Sequence, residues 1–196
     1  IIDFYPTNTD FLIALGYKGD QIKNLIRIMY PKRKINFVNI RNYQGKGSGL
    51  SHTIKKSLNK INRDFIFHAN DSIIKDKIKL NFKQDTIFIS KKYNGSKDYR
   101  TVNINRQNEV TKINNKNYKL DNKKLYTYTG ICYIKDYKLF KKIINFNDND
   151  FAELNYFKHK LQTDRINSEN IVNWFDFGNQ IARIETINKI SDFNNL

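Results

Sequence analysis

The sequence is poor in the residues that build disulfides, tight turns and membrane spans. It has one cysteine, Cys132, together with two prolines and eight glycines in 196 residues. A single cysteine excludes an internal disulfide framework and a cysteine-rich zinc site. The longest uninterrupted apolar run, residues 11–15, is far shorter than the roughly 20 residues that cross a bilayer. Since a secretory leader pattern is also lacking, we expect a soluble, cytoplasmic protein without a membrane partner.

Acidic residues are scarce relative to basic ones. The chain has 35 Lys and Arg against 19 Asp and Glu, a net charge of +16, and such a charge attracts polyanions. The basic residues are dispersed through every segment instead of lying on one helix or strand. We therefore interpret the charge as compositional drift toward Lys and Asn, and expect no specific nucleic-acid partner. The 39% hydrophobic and 14% aromatic content is sufficient for a folded core.

The apolar pattern predicts an α/β chain. Short apolar runs predict strands at 11–15, 35–40 and 64–68, and helical spacing predicts helices at 21–30 and 51–61, the first capped by Asp20. This alternation is typical of a parallel sheet. In the second half we expect strands at 86–93, 100–104, 110–113, 125–134 and 171–177, with a turn at Asn94-Gly95. Helices are expected at 137–144, 151–161 and 181–190.

Two segments have residues suited to polar ligands. The loop at 42–49 holds three glycines between a strand and a helix, although it matches neither the P-loop nor the GxGxxG pattern. Asp71 and Asp176 each follow a strand, at the end where open α/β sheets bind ligands. If their strands are neighbours, the two carboxylates can hold Mg²⁺ between substrate phosphates. Considered separately, each Asp is equally typical of a cap or turn, and His68 is expected to pack in its strand.

Six segments in order resemble the sugar-phosphate nucleotidyltransferases, a family that includes phosphocholine cytidylyltransferases. Between residues 11 and 190 the matching segments are ALGYKGDQIKNLI, GSGLSHTIKKSL, FIFHANDSII, VTKINNK, YTGICYIKD and WFDFGN. The resemblance implies a Rossmann-like, mixed but mainly parallel sheet flanked by helices, with a smaller β-rich acceptor-binding part. It also implies one domain over residues 1–196, with a nucleotide-binding half at about 1–85 and an acceptor-binding half at about 86–196.

The resemblance assigns expected roles to individual positions. Asp71 and Asp176 match the two metal-binding aspartates, with Mg²⁺ as the cofactor. Lys116 matches a lysine that holds the phosphate of the second substrate, and it completes the expected catalytic set. The expected nucleotide-binding residues are Gln44, Gly49, Leu50 and Asn70, and the expected acceptor-binding residues are Thr129, Gly130 and Lys116.

Three features depart from the family pattern. The glycine-rich signature that wraps the triphosphate is missing, and because residue 1 is Ile and the only Met is Met29, we expect it upstream of this segment. The acidic residue usual before the lysine is Asn115. A glycine usual in the acceptor pocket is Arg100. The last two changes leave the acceptor open.

The resemblance implies an enzyme that joins an NTP to a sugar 1-phosphate or another small phosphorylated acceptor and releases pyrophosphate, as in the synthesis of polysaccharide precursors. A GT-A-type glycosyltransferase is the first alternative, although Asn70-Asp71-Ser72 is a poor version of its paired carboxylates. The second is a non-catalytic basic module that binds nucleotide or nucleic acid through clusters such as Lys91-Lys92-Tyr93. A homo-oligomer and a further domain beyond Leu196 are both compatible with the sequence.

Overall fold

The computed structural model describes most of the chain. The described residues are 1–75, 77–78, 80–91, 98–116, 125–146, 152–178, 180, 183–184 and 186–187. The expected turn at Asn94-Gly95, the residues Lys92 and Tyr93, and most of the expected helix at 181–190 lie outside them. No helix in these ranges has both the length and the apolar character needed to cross a membrane.

The chain divides into two compact units. Unit 1 consists of Ile1–Phe4, Phe65–Lys135 and Lys158–Leu196, and unit 2 consists of Tyr5–Asp64 and Asp136–Phe157.

Unit 2 contains a small parallel sheet and the main helices. Strands β1 (Phe11–Leu15) and β2 (Ile35–Asn39) pair in parallel, as the alternation of strand and helix predicts. The helices are α1 (Gly19–Met29), α2 (Leu50–Ser57), α3 (Tyr137–Phe146) and the start of α4 (Leu154–Lys160). The buried apolar side chains of unit 2 include Leu15, Ile40, Ile54, Leu58, Phe140, Leu154 and Phe157.

Helix α1 differs from its sequence-based prediction in two ways. Its N-cap is Lys18, in the left-handed conformation at φ 53°, so Asp20 lies within the first turn and does not cap the helix. The apolar stripe is also not covered. Ile22 is 40% exposed, Leu25 56% and Met29 59%, and α1 buries none of its residues. Periodicity thus correctly predicts a helix here but does not show what lies against its apolar face.

Unit 1 is built on a mainly antiparallel sheet. Its strands are β3 (Phe65–His68), β4 (Ser72–Ile74), β5 (Thr86–Ser90), β6 (Thr101–Ile104), β7 (Val110–Asn114), β8 (Tyr126–Ile134), β9 (Asn167–Asn170) and β10 (Trp174–Asp176). The larger sheet has the order β7-β6-β8-β5-β9, with β3 paired to β8, and β4 pairs with β10 in a second sheet. The nine-residue strand β8 pairs antiparallel with β3, β5 and β6, and so organises the unit.

The strand directions correct one expectation. The mixed α/β class is confirmed, but among the described strands only the β1–β2 and β5–β9 pairs are parallel, so the expectation of a mainly parallel sheet is wrong. In particular, β3 pairs antiparallel with β8. An apolar run indicates a strand but carries no information on its direction, because both directions bury the same side chains.

A buried carboxylate joins three segments of unit 1. Asp85, just before β5, accepts the backbone N–H of Lys135 at 2.8 Å. One of its oxygens lies 3.8 Å from Lys160 Nζ, and this ammonium also contacts Asp164 at 2.7 Å. The Asp85 side chain is only 6% exposed, whereas that of Asp164 is 48% exposed. Asp85 therefore ties the start of β5 to the end of β8 and to α4.

We expect Asp85→Ala to destabilise the protein. The change leaves the Lys135 N–H without its acceptor and removes one carboxylate from Lys160, at a cost of about 1–3 kcal/mol. The matched control, Asp164→Ala, removes the exposed partner of the same lysine and should have a much smaller effect. Urea unfolding of the two variants measures the difference, and equal midpoints would contradict the structural role of Asp85.

Candidate active site

Asp71 lies in a tight turn between β3 and β4. The Ser72 N–H donates to the Ala69 carbonyl at 3.0 Å, which closes the turn. The Ala69 N–H donates to the Gly130 carbonyl of β8 at 2.9 Å, which anchors the turn to the sheet. Gly130 has φ 79°, and an added Cβ would lie 3.0 Å from Ala69 Cβ. A glycine in β8 therefore allows the turn carrying Asp71 to approach closely.

Asp176 is brought beside Asp71 by strand pairing. In the antiparallel pair of β4 and β10, Asp176 lies opposite Ser72, the residue after Asp71. Beyond the last strand pair, the Phe177 N–H donates to the Asp71 carbonyl at 2.8 Å. The prediction that the two aspartates converge is therefore confirmed, although the two strands that bring them together are short and antiparallel.

Because Gly178 has no side chain, it leaves room for the carboxylates of Asp71 and Asp176 to lie close together. An added Cβ at this position would lie 2.5 Å from Asp71 Oδ2 and 3.3 Å from Asp176 Oδ1. The Gly178 N–H donates to Asp176 Oδ1 at 2.8 Å. The glycine after β10 thus supplies a donor to one carboxylate and room for the other.

The two carboxylates differ in their surroundings. Asp176 is 8% exposed, and its Oδ2 accepts the Tyr99 hydroxyl at 2.5 Å while Oδ1 accepts the Gly178 N–H. The Asp71 side chain reaches the surface but is partly surrounded by protein atoms. Partial burial, and then the charge of Asp176, raise the pKa of Asp71 above its ordinary value, while Lys116 opposes the rise. One carboxylate is therefore held rigidly, and the other faces solvent beside a negative charge.

A buried serine connects the two aspartates to β8. Ser72 Oγ donates to the Thr129 carbonyl at 2.5 Å and accepts the indole N–H of Trp174 at 2.6 Å. The Ser72 carbonyl accepts the Nε2–H of His68 at 2.7 Å, and burial lowers the pKa of His68 to about 4. His68 is thus neutral at pH 7 and packed in its strand, as expected. These bonds fix β4 and β10 against the larger sheet.

The other residues expected in unit 1 lie around this pair. Lys116 is exposed, two residues after β7, and close enough for its charge to act on Asp71. Asn70 is exposed in the same turn as Asp71. The Thr129 side chain is buried and donates to the Phe88 carbonyl at 2.9 Å, while Gly130 is partly exposed. Their roles toward a substrate stay predictions.

The nucleotide-binding residues expected in unit 2 lie on the glycine-rich loop and the start of α2. Gln44, Gly49 and Leu50 are all exposed. Gly49 is the N-cap of α2, and its carbonyl accepts the N–H groups of His52 and Thr53. In the loop itself Gly45 has φ 81° and Gly47 has φ 83°, a conformation that favours glycine. The loop therefore needs at least two of its glycines for its own backbone.

The donor set at Asp71 and Asp176 suits a hard divalent cation. Carboxylate oxygens are preferred ligands of Mg²⁺, which commonly uses one or two carboxylates, water and substrate phosphates. In the described part of the chain there is no group of three or more His, Cys, Asp or Glu that could hold a metal. A pair of carboxylates fits a cation whose remaining ligands are water and substrate phosphates.

Sequence reasoning missed Tyr99, Ser72 and Trp174 as parts of the site. Tyr99 reaches Asp176 from 77 positions away, and Trp174 reaches Ser72 from 102 positions away. Such contacts follow from strand pairing and have no local pattern. The tryptophan in WFDFG was the one available indication, because it lies two residues before Asp176 and so on the same face of β10.

We expect Gly178→Ala to separate the carboxylates without unfolding the protein. The added methyl group meets the flexible end of the Asp71 side chain, which must turn away from Asp176. Affinity for Mn²⁺, used in place of Mg²⁺, should fall while the melting temperature stays near that of the natural sequence. In the control, Gly49→Ala, no atom lies within 4 Å of the added Cβ, so Mn²⁺ affinity should be unchanged, with at most a small loss of stability because Gly49 is the N-cap of α2. Undiminished Mn²⁺ binding in Gly178→Ala would contradict the shared site.

The raised pKa of Asp71 predicts a pH-dependent effect on stability. The folded protein retains the Asp71 proton at pH values where the unfolded chain has lost it, so stability decreases as pH rises from 3.8 through the raised pKa. At neutral pH, Asp71→Asn should therefore raise the melting temperature of the metal-free protein slightly. The gain should shrink as the pH approaches 3.8.

Asp164→Asn provides a control of opposite sign. Hydrogen bonds from Lys160 and then Thr163 lower the pKa of Asp164, so its charge stabilises the folded state above pH 3.8 and this contribution is lost as the pH falls. Removing the charge should lower the melting temperature at neutral pH. A loss of stability in both variants at pH 7 would refute the sign derived for Asp71.

Several solved structures resemble this chain. No family model and no curated protein matches the sequence. An apo UDP-glucose pyrophosphorylase has a TM-score of 0.68 at 15% identity, over 94% of this chain and 82% of its own. CTP:phosphocholine cytidylyltransferase from Streptococcus pneumoniae has a TM-score of 0.65 at 12% identity, over 92% of this chain and 78% of its own. The inositol-1-phosphate CTP transferase from T. maritima has a TM-score of 0.61 at 14% identity, over 90% of this chain and 72% of its own. The chain thus has the fold seen in these nucleotidyltransferases.

Proposed function

We propose that the protein transfers a nucleotidyl group from an NTP to a small phosphorylated acceptor, such as a sugar 1-phosphate, with release of pyrophosphate. The observation that supports this most strongly is the convergence of Asp71 and Asp176 around Gly178, in a fold shared with three kinds of nucleotidyltransferase. The product would be a nucleotide-linked precursor for polysaccharide or glycoconjugate synthesis, made in the cytoplasm.

Asp71 and Asp176 would hold Mg²⁺ at this site. The bound ion would neutralise negative charge on the phosphates and align the two reactants. Asp176, fixed by the Tyr99 hydroxyl and the Gly178 N–H, would give the site its geometry. Asp71, exposed and next to a second negative charge, would gain most from a cation, because its ionisation is opposed in the metal-free protein.

Lys116 would bind the phosphate of the acceptor. Its ammonium is exposed at the surface, and its charge acts on Asp71. A lysine presents a compact point charge to a phosphate, and so favours an oxygen of the acceptor phosphate near the metal pair. Thr129 and Gly130 would border the acceptor, and Asn70 would lie beside the nucleotide.

Gln44, Gly49 and Leu50 would bind the nucleotide. All three are exposed, and the Gly49 backbone stands at the N-terminus of α2. A backbone without a side chain permits the close approach of a flat base. The reaction needs no covalent intermediate, since positioning and charge neutralisation account for phosphoryl-type transfer.

The direct test is pyrophosphate release. The full-length protein is offered each of the four NTPs with a panel of sugar 1-phosphates and alcohol phosphates, and pyrophosphate is measured with and without EDTA. We expect one NTP and acceptor pair to give Mg²⁺-dependent pyrophosphate. Transfer of sugar from a nucleotide sugar, with no pyrophosphate, would favour the glycosyltransferase alternative, and no pyrophosphate from any pair would overturn the proposal.

The two aspartates should be needed for turnover. Asp71→Asn and Asp176→Asn each remove a negative charge that a cation requires, and the loss of charge compensation in the transition state costs several kcal/mol. We expect turnover to fall by orders of magnitude in both variants. Because Asp71→Asn should be at least as stable as the natural sequence, normal turnover in that variant would exclude the metal role, with Asp164→Asn as the control for an exposed carboxylate elsewhere.

A further inference from the structure

Tyr99 supplies a side-chain hydrogen bond to one carboxylate of the pair. Its hydroxyl donates to Asp176 Oδ2 at 2.5 Å, a distance typical of a strong bond to a charged acceptor. Asp176 is nearly buried, so the orientation of its carboxylate depends on such donors. The second donor, the Gly178 N–H, holds the other oxygen. Together the two bonds fix the plane of the carboxylate.

The ring of Tyr99 is itself held in place. It packs edge-on against Trp174, with ring centroids 5.7 Å apart at an angle of 75°. Trp174 lies two residues before Asp176 on β10, and its indole N–H is bonded to Ser72, the residue after Asp71. A continuous set of contacts thus runs from Asp176 through Tyr99 and Trp174 to Ser72, the residue after Asp71.

Tyr99 also leads directly into the sheet of unit 1. The Arg100 carbonyl, one residue later, accepts the N–H of Tyr128 at 3.0 Å, and β6 begins at Thr101. Strand β6 pairs with β7, after which Lys116 follows, and with β8, which carries Thr129 and Gly130. A shift of β6 would therefore move the Tyr99 hydroxyl relative to Asp176.

We propose that Tyr99 is a positioning residue for the metal site. It holds Asp176 so that a free lone pair of its carboxylate faces the cation shared with Asp71. It also links this orientation to the strands that carry the expected acceptor residues. A carboxylate oxygen accepts a hydrogen bond and a metal at the same time, since it has two lone pairs. Donors behind metal ligands typically contribute about 10–100-fold to metal affinity. This inference rests on the metal role proposed for the two aspartates.

The test is Mn²⁺ titration by calorimetry in the absence of substrates. Tyr99→Phe retains the ring and its contact with Trp174 but removes the hydroxyl, so the dissociation constant should rise about 10–100-fold with little change in melting temperature. Tyr128→Phe is the matched control. It removes a hydroxyl from the same sheet, 3.6 Å from Cys132 Sγ and not bonded to Asp176, and should bind Mn²⁺ like the natural sequence.

Two comparisons separate the failure of this inference from failure of the proposed function. If Asp71→Asn weakens Mn²⁺ binding while Tyr99→Phe does not, the metal site stands and the role of Tyr99 is refuted. If the natural protein binds no Mn²⁺ even when an NTP is present, or if Asp71→Asn binds it equally well, both proposals are overturned. A positioning role further requires that turnover of Tyr99→Phe recover at saturating Mg²⁺, because Tyr99 does not act on the substrates directly. A loss that persists at saturating Mg²⁺ would contradict the proposed role.

Discussion

The close approach of Asp71 and Asp176 around Gly178 is the constraint on which this part of unit 1 depends. Partial burial raises the pKa of Asp71 above its ordinary value, and the nearby charge of Asp176 raises it further. The protein stabilises mainly one of the two carboxylates. It surrounds Asp176 with two donors and leaves Asp71 toward solvent, where a cation and Lys116 can reach it. Two negative charges placed this close lower the stability of the protein by themselves, and the arrangement suits a positively charged ligand.

The geometry of the site depends on a small number of bonds between the two sheets of unit 1. The short pair of β4 and β10 holds the carboxylates, and Ser72 joins this pair to β8 through the Thr129 carbonyl. The turn at Ala69 is bonded to the Gly130 carbonyl of the same strand. Strand β8 therefore positions the aspartates and carries the residues expected at the acceptor. A change in this one strand would disturb the aspartate pair and these residues together.

The sequence predicted those parts of the fold and site that have a local pattern. Apolar runs located β1, β2, β3, β5 and β8, and a carboxylate after a strand identified Asp71 and Asp176. The polar edge strand β9, with the sequence NSEN, has no apolar run and was missed. Strand direction and the hydroxyl of Tyr99 were also beyond prediction, because both depend on which segments pair over long separations. Local sequence determines the type of element, and packing determines its partner.

The long sequence separation of β4 and β10 has a consequence for the way the protein is made. Ser72 and Trp174 are 102 positions apart, so the loop between them must close before the two aspartates can meet. On the ribosome, the turn carrying Asp71 is synthesised well before β10 emerges. Pairings of high contact order form slowly. Strands β3 and β5–β8 can therefore pair before β10 is available, and the two aspartates are brought together only when β10 pairs with β4.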